Sequence, residues 1–200
     1  MSRLRAVLAF AVPFLVYLRT LHPAYPLDDS PETVSVCAAL GLSHMPGYPA
    51  ITLLGRVAAA LPAGSVYFRV NLLSATLGAG CAAVTARAVA ALLPAAPGPW
   101  AGVAAGWALA FAAPVWRDAT CAKGAVYLLN LLLILLSCRA VLARRWPLGG
   151  LLAGGALADH WMGFLPWLPA LLIHARAAGR RSALLAGVLA MCAASAYLQL

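Results

Sequence analysis

Acidic residues are scarce in this 200-residue chain: five Asp and Glu stand against 14 basic residues, of which Lys123 is the single lysine. Charged residues of either sign make up only 10% of the sequence, and 64% is apolar. A soluble domain is closer to half apolar and about a quarter charged, so a single water-facing globule is excluded. The net charge of +9 would suit nucleic acid if the cations clustered on a soluble face. They stand singly or in pairs between apolar runs, as membrane anchors do, so the expected partner is the lipid bilayer and not nucleic acid. Cysteine is sparse as well. Cys37, Cys81, Cys121, Cys138 and Cys192 show no CxxC or Cys/His ligand spacing, and a thiol within an apolar run is a small hydrophobe. Internal repeats, low-complexity tails and polar domains are missing. The basic start Met1-Ser2-Arg3-Leu4-Arg5 and the apolar run behind it resemble a leader, but no small-residue cleavage site follows, so the segment reads as a retained helix.

What is present is a series of apolar runs. With about 20 such residues needed per crossing, spans fall near 4–20, 67–92, 99–116, 124–143, 147–158, 161–175 and 182–200. The runs at 147–158 and 161–175 are short and read as half-helices with a junction between them, whereas 47–62 reads as an interfacial helix. The fold class expected is all-α, a polytopic transmembrane helical bundle whose first outer loop contains interfacial helices. The run at 183–200 stops without a cap or basic anchor, which leads to the expectation that 1–200 is the N-terminal part of a larger membrane domain. If Arg3 and Arg5 are cytoplasmic, this threading puts Arg87, Arg139, Arg144, Arg145, Arg176, Arg180 and Arg181 on the same side. It puts all five acids, Asp28, Asp29, Glu32, Asp118 and Asp159, on the outer side with His22, His44 and His160.

The one dense polar stretch is the first outer loop: Arg19, His22, Asp28-Asp29-Ser30-Pro31-Glu32 and His44-Met45-Pro46-Gly47-Tyr48-Pro49. Three carboxylates within five residues repel one another and call for a cation. Two readings of the cluster are open from composition alone. It is a solvated acidic face that helps set orientation, or it supplies a general base that takes a proton from an attacking hydroxyl at the membrane surface. No side-chain cluster has metal-ligand spacing, although Asp28, Asp29 and Glu32 suit weak binding of a divalent ion, and a metal requirement stays open.

A longer pattern separates these readings. Asp29-Ser30-Pro31-Glu32, then His44-Met45-Pro46-Gly47-Tyr48-Pro49, then Gly64-Ser65-Val66 with Phe68-Arg69-Val70-Asn71, resembles in order and spacing the transmembrane protein O-mannosyltransferase family and its bacterial relatives of unknown function. Members typically read Asp-Ser-Gly-Glu, His-Pro-Pro-Gly-Tyr-Pro and Gly-Ser-Val-Ala-Phe-Arg-Val-Asn here. Trp116 with Ala119, Val126-Tyr127-Leu128-Leu129-Asn130, and Gly155-Ala156-Leu157-Ala158-Asp159-His160 match later family steps, so the resemblance covers most of the chain. The His-x-Pro-Gly-Tyr-Pro block together with Phe-Arg-Val-Asn is the specific part. This sequence departs from the pattern at Pro31 (usually Gly), Met45 (usually Pro), Asp159 (usually Asn) and Lys123, where many members carry Glu; the last change puts a local acceptor or metal contact in doubt.

The resemblance implies a GT-C class glycosyltransferase, hexosyltransferase-like, that moves a sugar from a polyprenyl-phosphate donor to an acceptor hydroxyl of a protein or glycan. The position of the catalytic base falls on Asp29, with Asp28 adjacent and Glu32 as a base partner or hydroxyl-binding residue. Single displacement with Asp29 as base would invert the anomeric carbon. The donor-binding residues implied are Arg69, His44, Tyr48 and Asn71, with Arg69 the leading phosphate contact because a guanidinium matches phosphate geometry. Arg69 also reads as a residue snorkelling to headgroups. Asp159 and His160 are read either as closing the same pocket or as a polar turn between spans. No cofactor is implied beyond the lipid-linked sugar donor. The Ala, Arg and Gly content hints at a GC-rich bacterial genome, hence a multi-pass inner or plasma membrane protein with its active face periplasmic or extracellular. A transporter or channel fragment would carry acids deep inside its spans, and these spans carry almost none; a non-catalytic membrane scaffold stays as a third reading.

Overall fold

The computed structural model describes residues 1–200 except 24, 27, 45–46, 94–97, 177–178 and 196–200, and leaves the side chains at 171, 174 and 175 undescribed. Every regular element among the described residues is helical, and no strand occurs among them. In chain order these are α1 (Arg3–Thr20), α2 (Ser30–Ala39), α3 (Pro49–Ala59), α4 (Val66–Leu92), α5 (Ala101–Ala110), α6 (Ala113–Ala119), α7 (Gly124–Leu142), α8 (Trp146–Phe164), α9 (Leu168–Ala175) and α10 (Arg180–Ala194), with a short 3-10 turn at Leu165–Trp167. Two of them, α4 and α7, are long and apolar enough to cross a membrane.

The helix starts follow from local chemistry. Ser2 and Ser65 cap α1 and α4, their hydroxyls accepting the Arg5 and Phe68 amides, which satisfies backbone donors that have no partner inside the helix. Proline stands in the first turn of α2, α3, α6 and α8, where its missing N–H costs nothing and its φ is already helical. The run at 99–116, expected as one span, is divided into α5 and α6, since the chain turns at Phe111-Ala112 and restarts on Pro114. The half-helices expected at 147–158 and 161–175 are two helical parts of α8, the second continuing through the 3-10 turn into α9. The expected junction survives inside α8 as a break at His160, whose φ/ψ of −151°/87° is not helical. The last residues of the run expected at 182–200 lie outside the described residues, and its described part is α10.

Small residues let the helices approach closely, and side-chain hydrogen bonds to backbone carbonyls tie them together. Gly102 and Gly106 of α5 lie so close to α4 that a Cβ on either would sit 2.4 Å from the Ala86 or Ala82 carbonyl oxygen. Gly150 and Gly154 of α8 approach α10 in the same way, at 2.1 Å from the Ala186 oxygen and 2.2 Å from the Ala190 oxygen. Both are Gly-xxx-Gly pairs. The side chains of Asn130 and Ser137 tie α7 to α8 through the Ala156, His160 and Gly149 carbonyls. The Tyr17 hydroxyl donates to the Ala110 carbonyl at 2.7 Å, linking α1 to the end of α5. Large apolar side chains such as Leu53, Val57, Leu172 and Met191 face outward.

The alternation of these helices gives the bundle two unlike ends. The end of α1, the starts of α4 and α7, and α2, α3 and the His160 break share one of them, joined by the Trp116–Thr20, His22–Thr120 and Lys123–Ser30 hydrogen bonds. The start of α1 and the last turns of α4 and α7 share the other.

Candidate active site

The site is built on the N-terminal end of α2. Asp29 is the residue before the helix; its carbonyl accepts the Thr33 amide at 2.9 Å, and its carboxylate stands at the positive end of the helix dipole. Asp28 closes the turn, its Oδ1 accepting the Ser30 amide at 2.8 Å. Ser30 is fully buried, and its hydroxyl accepts the Lys123 amide at 3.1 Å. That bond sets the start of α7 against the start of α2. Gly124 permits the tight corner from α6 into α7, since a Cβ there would lie 1.8 Å from the Asp118 carbonyl oxygen.

Lys123 is the cation of the cluster. Its side chain is 6% exposed, and Nζ lies 3.2 Å from Asp29 Oδ2 and 4.5 Å from the centre of the Tyr48 ring. A buried ammonium is costly unless paired, and here a carboxylate and an aromatic face both serve it. Asp29 is 53% exposed. Its Oδ2 takes Lys123 and faces His44 Nε2 at 3.9 Å, while Oδ1 has no partner among the described residues.

Glu32 is engaged at both oxygens. Oε1 accepts the Ser43 hydroxyl at 3.0 Å and the His44 amide at 2.7 Å, and Oε2 meets His44 Nδ1 at 2.6 Å. The backbone bond from His44 is the main reason its carboxyl is held below the usual value, with the bonds from the His44 and Ser43 side chains adding to it. An ionised carboxylate only accepts, so Nδ1 of His44 carries the hydrogen. Gly47, at a φ of 79° open to glycine but strained for other residues, turns the chain from His44 toward Tyr48. Met45 and Pro46 of this block lie outside the described residues.

Tyr48 is 6% exposed and sits at the centre. The His160 ring stacks on it at 6.1 Å and 10°, and the His44 ring meets it edge-on at 5.9 Å. Burial raises its phenol, and the neighbouring Asp29, Glu32 and Asp159 raise it further, so the hydroxyl stays neutral and serves as a hydrogen-bonding group. His160 contacts Tyr127 edge-on at 5.4 Å as well. Its Nδ1 accepts the Gly163 amide at 3.0 Å, and Asn130 Nδ2 binds its carbonyl at 3.1 Å, which supplies the backbone partners lost at the break. Asp159 is fully buried beside it.

The structure thus brings together Asp28, Asp29, Glu32, His44, Tyr48, Asp159 and His160. Arg69 and Asn71, at the start of α4, make other contacts. Arg69 Nε donates to the Ser65 carbonyl at 3.2 Å, and Nη1 binds the Ala59 and Leu61 carbonyls, closing the C-terminal end of α3 onto α4. Asn71 Nδ2 reaches the His22 carbonyl at 3.4 Å. Among the described residues no group of three His, Cys, Asp or Glu side chains is placed to hold a metal ion.

A family profile, "Protein O-mannosyl-transferase TMEM260 N-terminal domain", matches residues 29–173. The chain belongs to this family. A mouse relative, "Protein O-mannosyl-transferase TMEM260", is 41% identical over 80 residues, which are 40% of this chain and 11% of the mouse protein. The chain therefore spans a small part of the length of that relative. No solved structure matches it. The family match begins at Asp29 and takes in every site residue named above except Asp28.

Two contributors escape a reading by motif. Lys123 stands out in the sequence only as a departure from the family's usual glutamate, and Ser43 carries no motif at all. The signal for Lys123 was its rarity: a single lysine among 14 basic residues, placed between apolar runs.

Proposed function

We propose that this chain is part of a GT-C-type membrane glycosyltransferase that moves a sugar from a polyprenyl-phosphate donor to an acceptor hydroxyl on the periplasmic or luminal side. The observation that carries this reading is the state of Asp29: half-exposed, fixed through Oδ2 by buried Lys123, with Oδ1 open. A general base must reach solvent-borne substrate and be held in one geometry. Glu32 is less suited, because its two oxygens already accept three hydrogen bonds, and Asp28 is committed to the turn.

In the proposed reaction Oδ1 of Asp29 accepts the acceptor's hydroxyl proton as that oxygen bonds to the anomeric carbon. The bond from the anomeric carbon to the phosphate oxygen breaks, and polyprenyl phosphate leaves with the electron pair. One displacement inverts the anomeric centre; retention would need a carboxylate nucleophile, and Glu32 is held away from that role by His44 and Ser43. His44 and Tyr48, beside Asp29, contact the donor's sugar. Arg69 keeps Nη2 for the donor phosphate while its other nitrogens bind carbonyls, and Asn71 holds the first loop beside it. Asp159 and His160 close the pocket behind Tyr48. Multi-pass insertion with this face outward belongs to the same proposal, and the protein or glycan acceptor would approach from that side.

The test is transfer of labelled sugar from polyprenyl-phosphate donors in membranes expressing the full-length gene, wild type against Asp29→Asn. Loss of transfer with normal membrane insertion supports the reading. Unchanged transfer in the variant removes Asp29 as base, and no transfer from any donor in wild type returns the chain to the transporter or scaffold readings.

A further inference from the structure

At the end of the bundle away from Asp29, the start of α1 and the last turns of α4 and α7 line a half-open cavity of about 310 Å³. Arg3, Arg87 and Arg139 line it, one from each helix, between small side chains such as Ser2, Ala6 and Ala90, and no acid is in its wall. None of the three guanidiniums makes an ion pair or a side-chain hydrogen bond among the described residues. Arg5, two residues from Arg3, behaves differently: it donates to Ser2 Oγ at 3.0 Å and to the Pro99 carbonyl at 2.5 Å.

Basic residues that only anchor helices gain nothing by converging, since like charges around one space repel. The N-terminal end of α1 adds its own partial positive charge to the same cavity. An arrangement of three open guanidiniums and a helix start is satisfied by an anion that accepts several charge-assisted hydrogen bonds at once. The volume lies at the small end of ligand sites, about 300–1,000 Å³, which fits a headgroup and not a sugar-bearing lipid. Basic pockets between membrane helices are known takers of anionic headgroups.

We propose that Arg3, Arg87 and Arg139 form a binding site for a phosphate-bearing anion, either the headgroup of an anionic phospholipid or free phosphate. The site is independent of the transfer reaction proposed above and stands whether or not Asp29 is a base.

The test uses the full chain purified in neutral detergent. Native mass spectrometry counts retained phosphatidylglycerol, with phosphatidylcholine as the zwitterionic control, and the unfolding midpoint is followed during titration with inorganic phosphate. Wild type is compared with the Arg87→Gln/Arg139→Gln double variant and with Arg5→Gln, whose side chain lies outside the cavity wall. If the double variant does not fold, Arg87→Gln alone is read, since that side chain is exposed. A headgroup site predicts one retained phosphatidylglycerol in wild type, with affinity at least about tenfold lower in the double variant and unchanged in Arg5→Gln. A free-phosphate site predicts the same pattern in the saturable midpoint rise with inorganic phosphate, and none in lipid retention. Equal behaviour of wild type and double variant with both probes overturns the proposal. So does an equal loss in Arg5→Gln, which would mean diffuse surface charge.

Discussion

The two ends of the bundle treat charge in opposite ways. At the first-loop end the charged groups interlock: Glu32 with His44 at 2.6 Å, Asp29 with Lys123 at 3.2 Å, Arg117 with Asp118 at 3.1 Å. At the other end Arg3, Arg87 and Arg139 surround a cavity with no counter-charge in its wall. A paired cluster has its geometry set before any ligand arrives, which is what chemistry needs. An unpaired one is completed by its ligand, which is what holding an anion needs. The contrast assigns different work to the ends of one set of helices.

The sharpest way to break the contrast is Asp29→Asn. Sugar transfer is expected to fall by about 10²–10⁴-fold, the usual worth of a positioned base, while phosphatidylglycerol retention at the arginine end stays at the wild-type level. Loss of both would mean that the ends are not separate. Gly106→Leu lies between them and should affect both together. Its side chain has no room beside the Ala82 carbonyl, so the folded protein loses about 1–3 kcal/mol, read as a lower unfolding midpoint in detergent.

Lys123→Met isolates the ion pair. With Lys123 buried and Asp29 half-exposed, the loss lies between the about 1 kcal/mol of an exposed pair and the about 3–5 kcal/mol of a broken buried one. Separately, loss of the group that fixes Asp29 is expected to lower kcat by about tenfold, about 1.4 kcal/mol in the barrier, and Lys123→Arg should recover most of it. A change confined to KM would show that Lys123 binds substrate and does not position the base.

The smallest effect belongs to Glu32. Its folded carboxyl sits below the ordinary value of 4.5 because of the bonds from His44 and Ser43. A depressed folded pKa contributes stability that is present above the unfolded value and is lost as pH falls through the folded one. Glu32→Gln should therefore unfold at a lower temperature than wild type near pH 7. The gap should narrow as pH falls below about 4.5, toward closure once Glu32 is protonated in the folded state as well. A gap that stays constant with pH would assign the stability to shape alone.

Much of the fold was legible in hydrophobic run lengths. The runs at 4–20, 67–92 and 124–143 became α1, α4 and α7 within a residue or so, because apolar length and Ser or Gly starts act locally. The division of 99–116 was not legible, since Pro114 reads equally as a kink or a helix start until the packing of Gly102 and Gly106 is seen. At the site, the acidic turn and the His44 to Pro49 block announced themselves by type and spacing. Lys123 did not, because its role depends on the α6–α7 corner returning to α2, a fact of tertiary packing. Arg69 shows the converse: its motif points to an anion, and its hydrogen bonds run to the carbonyls of Ala59, Leu61 and Ser65.

The bond between Ser30 and Lys123 joins residues 93 apart, and that between Thr20 and Trp116 joins residues 96 apart. The acidic turn is made early in synthesis, yet the ammonium that holds it is made nearly a hundred residues later. Closing so long a loop is slow relative to forming the helices inside it. The nascent chain therefore carries Asp29 without its ammonium while α4, α5 and α6 are being made, and the site is completed only when the start of α7 arrives.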